Sequence, residues 1–257
     1  MTPLLAFDIE TVPDIAGLRL LHDIDPDFGD AEVAEFAFRE RRTKTGNEFL
    51  PLHLQRVVAI ACALREGDGF RCWSLGSAAD GEAELIRRFF DGIDKYTPQL
   101  VSWNGGGFDL PVLNYRALIH GVAAARYWEW GDEDRDFRGN NYVSRYHRRH
   151  IDLMDLLAMY QPRNNVPLDQ LSRLAGLPGK LGLDGSKVWE AYLGGKIDEI
   201  RRYCETDALN TYLMFLRFQL LRGVLDQARY DRESALVRDT LGRSHDSHWR
   251  EFLARWN

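Results

Sequence analysis

Apolar residues run almost unbroken through 4–9 (LLAFDI) and again through 56–64 (RVVAIACAL), the pattern of short buried strands. A turn cluster at 65–69 (REGDG) separates the second run from 70–75 (FRCWSL), so strands two and three are predicted to form a hairpin. Over 80–95, Leu85, Ile86, Phe89, Phe90 and Ile93 recur at helical intervals behind Asp80, which is placed to act as an N-cap. A fourth strand is predicted at 100–104 (LVSWN). Beyond the glycines at 105–107, Asp109 is placed to cap a helix reaching about His120, with Pro111 tolerated in its first turn. A fifth strand at 150–154 (HIDLM), a short helix at 168–176 and a long amphipathic helix at 197–222 complete the order β-β-β-α-β-α-β-α.

Three leading strands followed by alternation with helices predict an α/β protein with a mixed central sheet flanked by helices. With 257 residues the chain suits one domain spanning 1–257. Two segments fall outside the pattern: an insertion at about 14–55, partly helical around 30–42, and a polar and aromatic loop at 126–149. The C-terminal segment 223–257 carries Trp249, Phe252 and Trp256 on a possible helix face, expected to pack back onto the domain.

Composition narrows the class. With 45% hydrophobic and 28% charged residues, disordered and fibrous classes are excluded. No apolar run reaches membrane-span length and charges begin at Asp8, which predicts a cytoplasmic protein. Cys62, Cys72 and Cys204 form no CxxC pair, arguing against a disulfide framework or a cysteine zinc site. A net charge of −6 argues against a wide grip on duplex nucleic acid but leaves room for a small acidic site that reaches phosphates through divalent metal.

Three short motifs carry candidate chemistry. In FDIET, Asp8 and Glu10 are two apart on a strand and so share a face. Paired buried carboxylates demand a proton or a cation, and oxygen-only ligands favour Mg²⁺ or Mn²⁺. In NGGGFD, Asp109 stands beyond the carboxyl end of a strand, where open α/β sheets place their ligands. No Lys-Ser/Thr follows the glycines, so a nucleotide cofactor is not expected. In YCETD, Tyr203 and Asp207 lie one helical turn apart. Singly, each motif also reads as ordinary structure: a solvated strand end, a capping aspartate, a buried tyrosine beside a surface carboxylate. Their combination in this order is the specific signal.

These motifs resemble the three exonuclease motifs of the DEDD superfamily, in its tyrosine-containing branch. Residues 186–216 and PLHLQRVVAI at 51–60 resemble bacterial proteins predicted as exonucleases related to the proofreading domain of family B DNA polymerases, a similarity spanning nearly the whole chain. The resemblance implies a ribonuclease H-like fold and a stand-alone 3′-to-5′ exonuclease. Such an enzyme hydrolyses terminal phosphodiester bonds of single-stranded DNA by a two-metal mechanism and releases nucleoside 5′-monophosphates. It also implies that Asp8 bridges both ions, Glu10 and Asp207 complete the shell of the first, and Asp109 holds the second. A phenol with pKa about 10 is protonated at neutral pH, so Tyr203 is cast as an orienting group. Thr11, Asn104, Phe108 and Lys187 are candidate substrate contacts. An exoribonuclease and a non-catalytic nucleic-acid-binding module remain open as alternatives.

The histidine-containing branch uses His-x4-Asp, a spacing matched by His147 and Asp152, but no helical pattern crosses them and position 202 is arginine. Two basic runs are further candidates for holding a single strand: Arg39, Arg41, Arg42 and Lys44, and Arg145, Arg148 and Arg149 with Tyr142, Tyr146, Trp128 and Trp130 nearby. Solvated faces are the plain reading of both. His150, Asp152, Asp155 and Cys204 are expected to be structural.

Overall fold

The computed structural model describes residues 2–256. Its centre is β1 (Leu4–Pro13), the middle strand of a five-stranded sheet. On one side β1 pairs antiparallel with β2 (Gln55–Glu66), which turns into β3 (Gly69–Ser74); on the other lie β4 (Gln99–Ser102) and β5 (His150–Asp152), both parallel. The order β3-β2-β1-β4-β5 makes the sheet mixed, as the sequence predicts, and is consistent with a ribonuclease H-like exonuclease domain.

Two helices interrupt the β1–β2 connection: α1 (Ile15–His22) and α2 (Asp30–Thr45). Next come α3 (Glu82–Tyr96) and α4 (Asp109–His120), then α5 (Leu153–Leu157), α6 (Leu168–Leu174) and α7 (Val188–Leu193). The long helix α8 (Ile197–Leu221) is followed by α9 (Gln227–Gly242) and α10 (Ser247–Arg255). No helix among the described residues is long and apolar enough to cross a membrane.

The period of two along β1 divides its side chains between two layers. Leu5, Phe7 and Ile9 pack with Phe89, Phe90 and Ile93 of α3 and Leu113 of α4. The opposite face meets α8, where Ala6 and Ala63 pack among Leu209, Tyr212 and Leu213, and Ala61 packs beside Tyr203 and Cys204. Alanine at these sheet positions leaves room for the long helix to lie close. Asp8 and Glu10 share this face, so the alternation that buries the core also aims both carboxylates at α8. A β-bulge between Glu10 and Thr11, with Val58 the extra residue of β2, bends the strand beside them.

Several boundaries differ from the sequence reading. The first-connection insertion holds two helices, with the Asp14 side chain accepting from Gly17 N–H to cap α1. Asp80 does not cap α3; its carboxylate accepts from Ser77 N–H at 2.8 Å, and Gly81 is the residue before the helix. β5 stops at Asp152 because that carboxylate takes Asp155 N–H and starts α5. Residues 126–149 hold one 3₁₀ turn, Arg135–Phe137, sealed down by fully buried Phe137 and Tyr142, whose hydroxyl donates to Pro98 O at 2.7 Å. Trp249, Phe252 and Trp256 are buried against the α8 side, the packing expected of the C-terminal segment.

Buried Arg116 of α4 fastens the insertion to the scaffold. It pairs with Asp14 at 2.6 Å and with Glu82, which also takes Val57 N–H at 2.7 Å. Each charge is neutralised and hydrogen-bonded, the condition for burying such groups.

Candidate active site

Three elements meet over the α8 face of β1. From the strand come Asp8 and Glu10; a carboxylate oxygen of each, together with Cys204 Sγ, lies within 4.8 Å of the others. From α8 come Tyr203 and Asp207, one turn apart and both buried. From the start of α4 comes Asp109. Its carboxylate was expected to cap that helix, but the residue before the helix is Phe108 and no side-chain cap bond forms. Asp109 Oδ1 accepts instead from Ile9 N–H at 3.2 Å, tethering it to β1 between the two strand carboxylates. The structure therefore gathers Asp8, Glu10, Asp109, Tyr203 and Asp207 in one place.

The crowding is electrostatically costly. Burial, then the charges of Asp109, Glu10 and Asp207, push the Asp8 carboxyl well above the usual range. Glu10 is raised in the same way, first by burial and then by Asp207, with Lys180 opposing. Burial pushes Asp109 up to about 7 despite bonds from its own and Ile9's backbone N–H, and pushes Asp207 up to about 6 against the relief offered by Lys180 and Tyr203. Asp207 Oδ1 is buried with no hydrogen-bond partner. Four carboxylates and an orphaned anionic oxygen fit a divalent cation, and an all-oxygen donor set selects a hard ion such as Mg²⁺ or Mn²⁺. Cys204 stands outside that set: burial holds its thiol protonated, and it donates to Asp8 O at 3.2 Å.

Lys180 enters this cluster unannounced by any motif. Its ammonium donates to the Tyr203 hydroxyl at 2.5 Å and lies 3.9 Å from Asp207 Oδ2. The loop that carries it is fastened by fully buried Asn210 of α8, which bonds both the N–H and the carbonyl of Gly179, while Asp169 takes Lys180 N–H at 2.8 Å. Gly179 has φ +70°, and a Cβ there would come within 2.5 Å of Asp169 Oδ1. Because Lys180 donates to the phenol oxygen, the Tyr203 proton is left to point elsewhere. Burial and the charges of Asp207, Glu10 and Asp8 hold the phenol well above its ordinary pKa, so it stays protonated.

Asp152 shapes the loop before Asp109. Its carboxylate accepts from Asn104 N–H at 2.9 Å, Gly106 N–H at 2.8 Å and Asp155 N–H at 3.3 Å, holding Asn104 at φ +67°. The chain then passes so close to Ser102 that a Cβ on Gly105 would fall 2.3 Å from its hydroxyl. Ser102 in turn bonds His150 Nε2 at 2.8 Å, and burial lowers that imidazole to about 4, so it is neutral. Replacing Asp152 by alanine frees three N–H groups, with an expected cost of roughly 1–3 kcal/mol in urea unfolding. A matching loss of hydrolysis should follow from misplacing Asp109; stability and activity both unchanged would exclude this role.

The remaining candidates are placed as follows. The Thr11 hydroxyl donates to Gln55 Oε1 at 2.9 Å, and Phe108 packs at the edge of the core. Lys187 lies at the surface 3.2 Å from Glu190, so Lys180 is the lysine that reaches the carboxylates. His147 Nδ1 accepts from Asn141 N–H and Asp152 is committed to its loop, so those two form no site. Much of the basic character is spent locally. Arg42 pairs with Glu48, Lys44 with Glu40 and Arg145 with Asp155, while Arg149 lies 3.6 Å over the Phe137 ring.

A family model matches residues 47–256, a span that holds Asp109, Tyr203 and Asp207 but begins after Asp8 and Glu10. The similarity thus stops short of β1, and it is the tertiary geometry that joins the strand carboxylates to the rest. That family is described as predicted 3′-5′ exonucleases related to the exonuclease domain of PolB, and the chain belongs to it.

Proposed function

We propose that this protein hydrolyses the terminal phosphodiester bond at the 3′ end of single-stranded DNA, releasing nucleoside 5′-monophosphates with the help of two divalent ions. The observation that carries this reading is the convergence of Asp8, Glu10, Asp109 and Asp207 with the protonated phenol of Tyr203, in a cluster whose charge is left uncompensated. Asp8, Glu10 and Asp207 would hold one Mg²⁺ or Mn²⁺, and Asp8 with Asp109 the other. When bound, such ions neutralise charge developing on the phosphate and lower the pKa of water toward 7.

The protein's own groups divide the rest of the work. Tyr203 keeps its proton and donates it in a hydrogen bond, orienting the attacking water or the scissile phosphate. Lys180 fixes the direction of that donor by occupying the phenol's acceptor side. Asn104 and Thr11 flank the carboxylates and Phe108 adjoins Asp109, which keeps them as candidate contacts to the last nucleotide; Lys187 would act only on a more distant phosphate. Water adds to phosphorus, the P–O3′ bond breaks, and O3′ leaves with a proton as the new terminal hydroxyl.

The test is a time course on 5′-labelled and 3′-labelled single-stranded DNA and RNA with Mg²⁺, Mn²⁺ or EDTA. A 5′-labelled strand should shorten stepwise, a 3′-labelled one should yield labelled mononucleotide at once, and EDTA should stop both. Absence of shortening with either metal would refute the reading, while faster loss of RNA than DNA would reassign the substrate.

A further inference from the structure

Beside the carboxylates stands an aromatic pair that neither the motifs nor the family span accounts for. Phe49, at the end of the insertion, and Phe108, the residue before Asp109, have ring centroids 5.7 Å apart and planes inclined by 55°. The Phe49 side belongs to a residue 53% exposed, and Phe108 is half-buried. Single exposed aromatics are ordinary. This one differs in how firmly its backbone is held.

Phe49 N–H donates to Asn47 Oδ1 at 3.1 Å, and Phe49 O accepts from Arg41 Nε at 2.8 Å. The next residue, Leu50, is buried in the small core of the insertion with Leu18, Val33 and Leu54. Leu50 O accepts from Gln55 Nε2 at 3.2 Å, and Gln55 Oε1 accepts from the Thr11 hydroxyl at 2.9 Å. On the other side, Asp109 is tied to Ile9 N–H. The two rings therefore sit one residue from anchors on β1 at Thr11 and Ile9, the neighbours of Glu10. Their inclination makes an open corner with exposed π-surface, not a closed stack.

Building on the exonuclease reading, we infer that Phe49 and Phe108 form a platform for the terminal base of a single-stranded 3′ end, with Phe49 supplied by the 14–55 insertion for this purpose. A nucleotide whose phosphate lies over the carboxylates must place its base to one side, and this pair offers the aromatic faces there. Stacking on a π-face accepts any base, so the platform favours the presence of a base and not its identity. It also gives the insertion a function that the basic groups of α2, spent on Glu48, Glu40 and Phe49 O, do not supply.

The experiment compares wild type, Phe49→Ala, Phe49→Trp and, as a control on the same insertion, Phe28→Ala. Substrates are single strands ending in a normal or an abasic 3′ nucleotide. KM is measured with Mg²⁺, and binding without turnover is followed by anisotropy with Ca²⁺. For wild type, the abasic end should raise KM roughly 5- to 100-fold. Phe49→Ala should lose most of that preference, raising KM on the normal end and scarcely on the abasic one. Phe49→Trp should keep the preference, and Phe28→Ala should match wild type.

Indifference of wild type to the terminal base, or an equal rise on both ends in Phe49→Ala, would overturn the platform while hydrolysis upheld the exonuclease. Base-dependent binding without hydrolysis would do the reverse. Neither binding nor hydrolysis by wild type would overturn both.

Discussion

Asp207→Asn is expected to lower hydrolysis on the order of 10³-fold and, in the same protein, to raise the melting temperature of the metal-free form at pH 8. The first effect follows from removing one ligand of a site whose charge neutralisation is worth several kcal/mol. The second follows from the cost of keeping Asp207 charged in the fold. Burial pushes its carboxyl up to about 6, above its unfolded value, so the native state binds the proton more tightly. That contribution to stability is fully present below the unfolded pKa of about 4 and is lost as pH rises through about 6. Asp109, raised to about 7, extends the loss to neutral pH.

Asparagine carries no charge and escapes the penalty, a gain on the order of 2–3 kcal/mol at pH 8 that disappears near pH 4. In a protein of this size that is about 5 °C or more. Saturating Mg²⁺ or Mn²⁺ should reverse the order, because wild type then gains stability by mass action and the variant gains less. Thermal melts at pH 5 and pH 8, each with EDTA and with metal, decide the matter. A metal-free Asp207→Asn protein no more stable than wild type at pH 8 would show that the orphaned Oδ1 carries no such strain.

The parts of this architecture that were legible in the sequence are those fixed by short-range periodicity. LLAFDI and RVVAIACAL read as strands because β1 and β2 are buried on both faces, and the i, i+2 spacing of Asp8 and Glu10 and the i, i+4 spacing of Tyr203 and Asp207 carry over directly into shared faces. Capping was less legible. Asp80 and Asp109 both precede helical stretches, yet each carboxylate found a better donor elsewhere, Ser77 N–H in a turn and Ile9 N–H across the sheet. Nothing local distinguishes a carboxylate that caps from one that bridges 100 residues away.

α1 was signalled but unread: Asp14 before IAGLRLLH is an ordinary start signal. Lys180 and Phe49 were out of reach for a different reason. Each depends on a loop whose course is set by long-range bonds, Asn210 to Gly179 in one case and Gln55 to Leu50 and Thr11 in the other. A lysine in GLPGKLG has no period to betray the side it faces. Lys187, in a recognisable stretch, drew attention that belonged seven residues earlier.

Lys180→Met is the counterpart of Asp207→Asn, and its two effects should have opposite relations to each other. Hydrolysis is expected to fall about 10²-fold, the scale of losing one preorganised donor at a reacting phosphate, because the Tyr203 hydroxyl loses the partner that fixes its direction. Metal-free stability at pH 8 should fall as well, since the ammonium is the cation that relieves both Glu10 and Asp207. Combining Lys180→Met with Asp207→Asn should recover much of the lost melting temperature and none of the activity, a non-additivity expected of groups in direct electrostatic contact.

Tyr203→Phe supplies the third point of comparison. It removes the donor itself while leaving every charge in place, so activity should drop toward the level of Lys180→Met and remain above that of Asp8→Ala or Asp207→Ala, with metal-free stability at pH 8 changed less than in Lys180→Met. If Lys180 acted only through Tyr203, the Lys180→Met/Tyr203→Phe double variant would be no slower than Tyr203→Phe alone. A further tenfold loss in the double variant would place the ammonium on the substrate phosphate directly, making Lys180 a catalytic group in its own right.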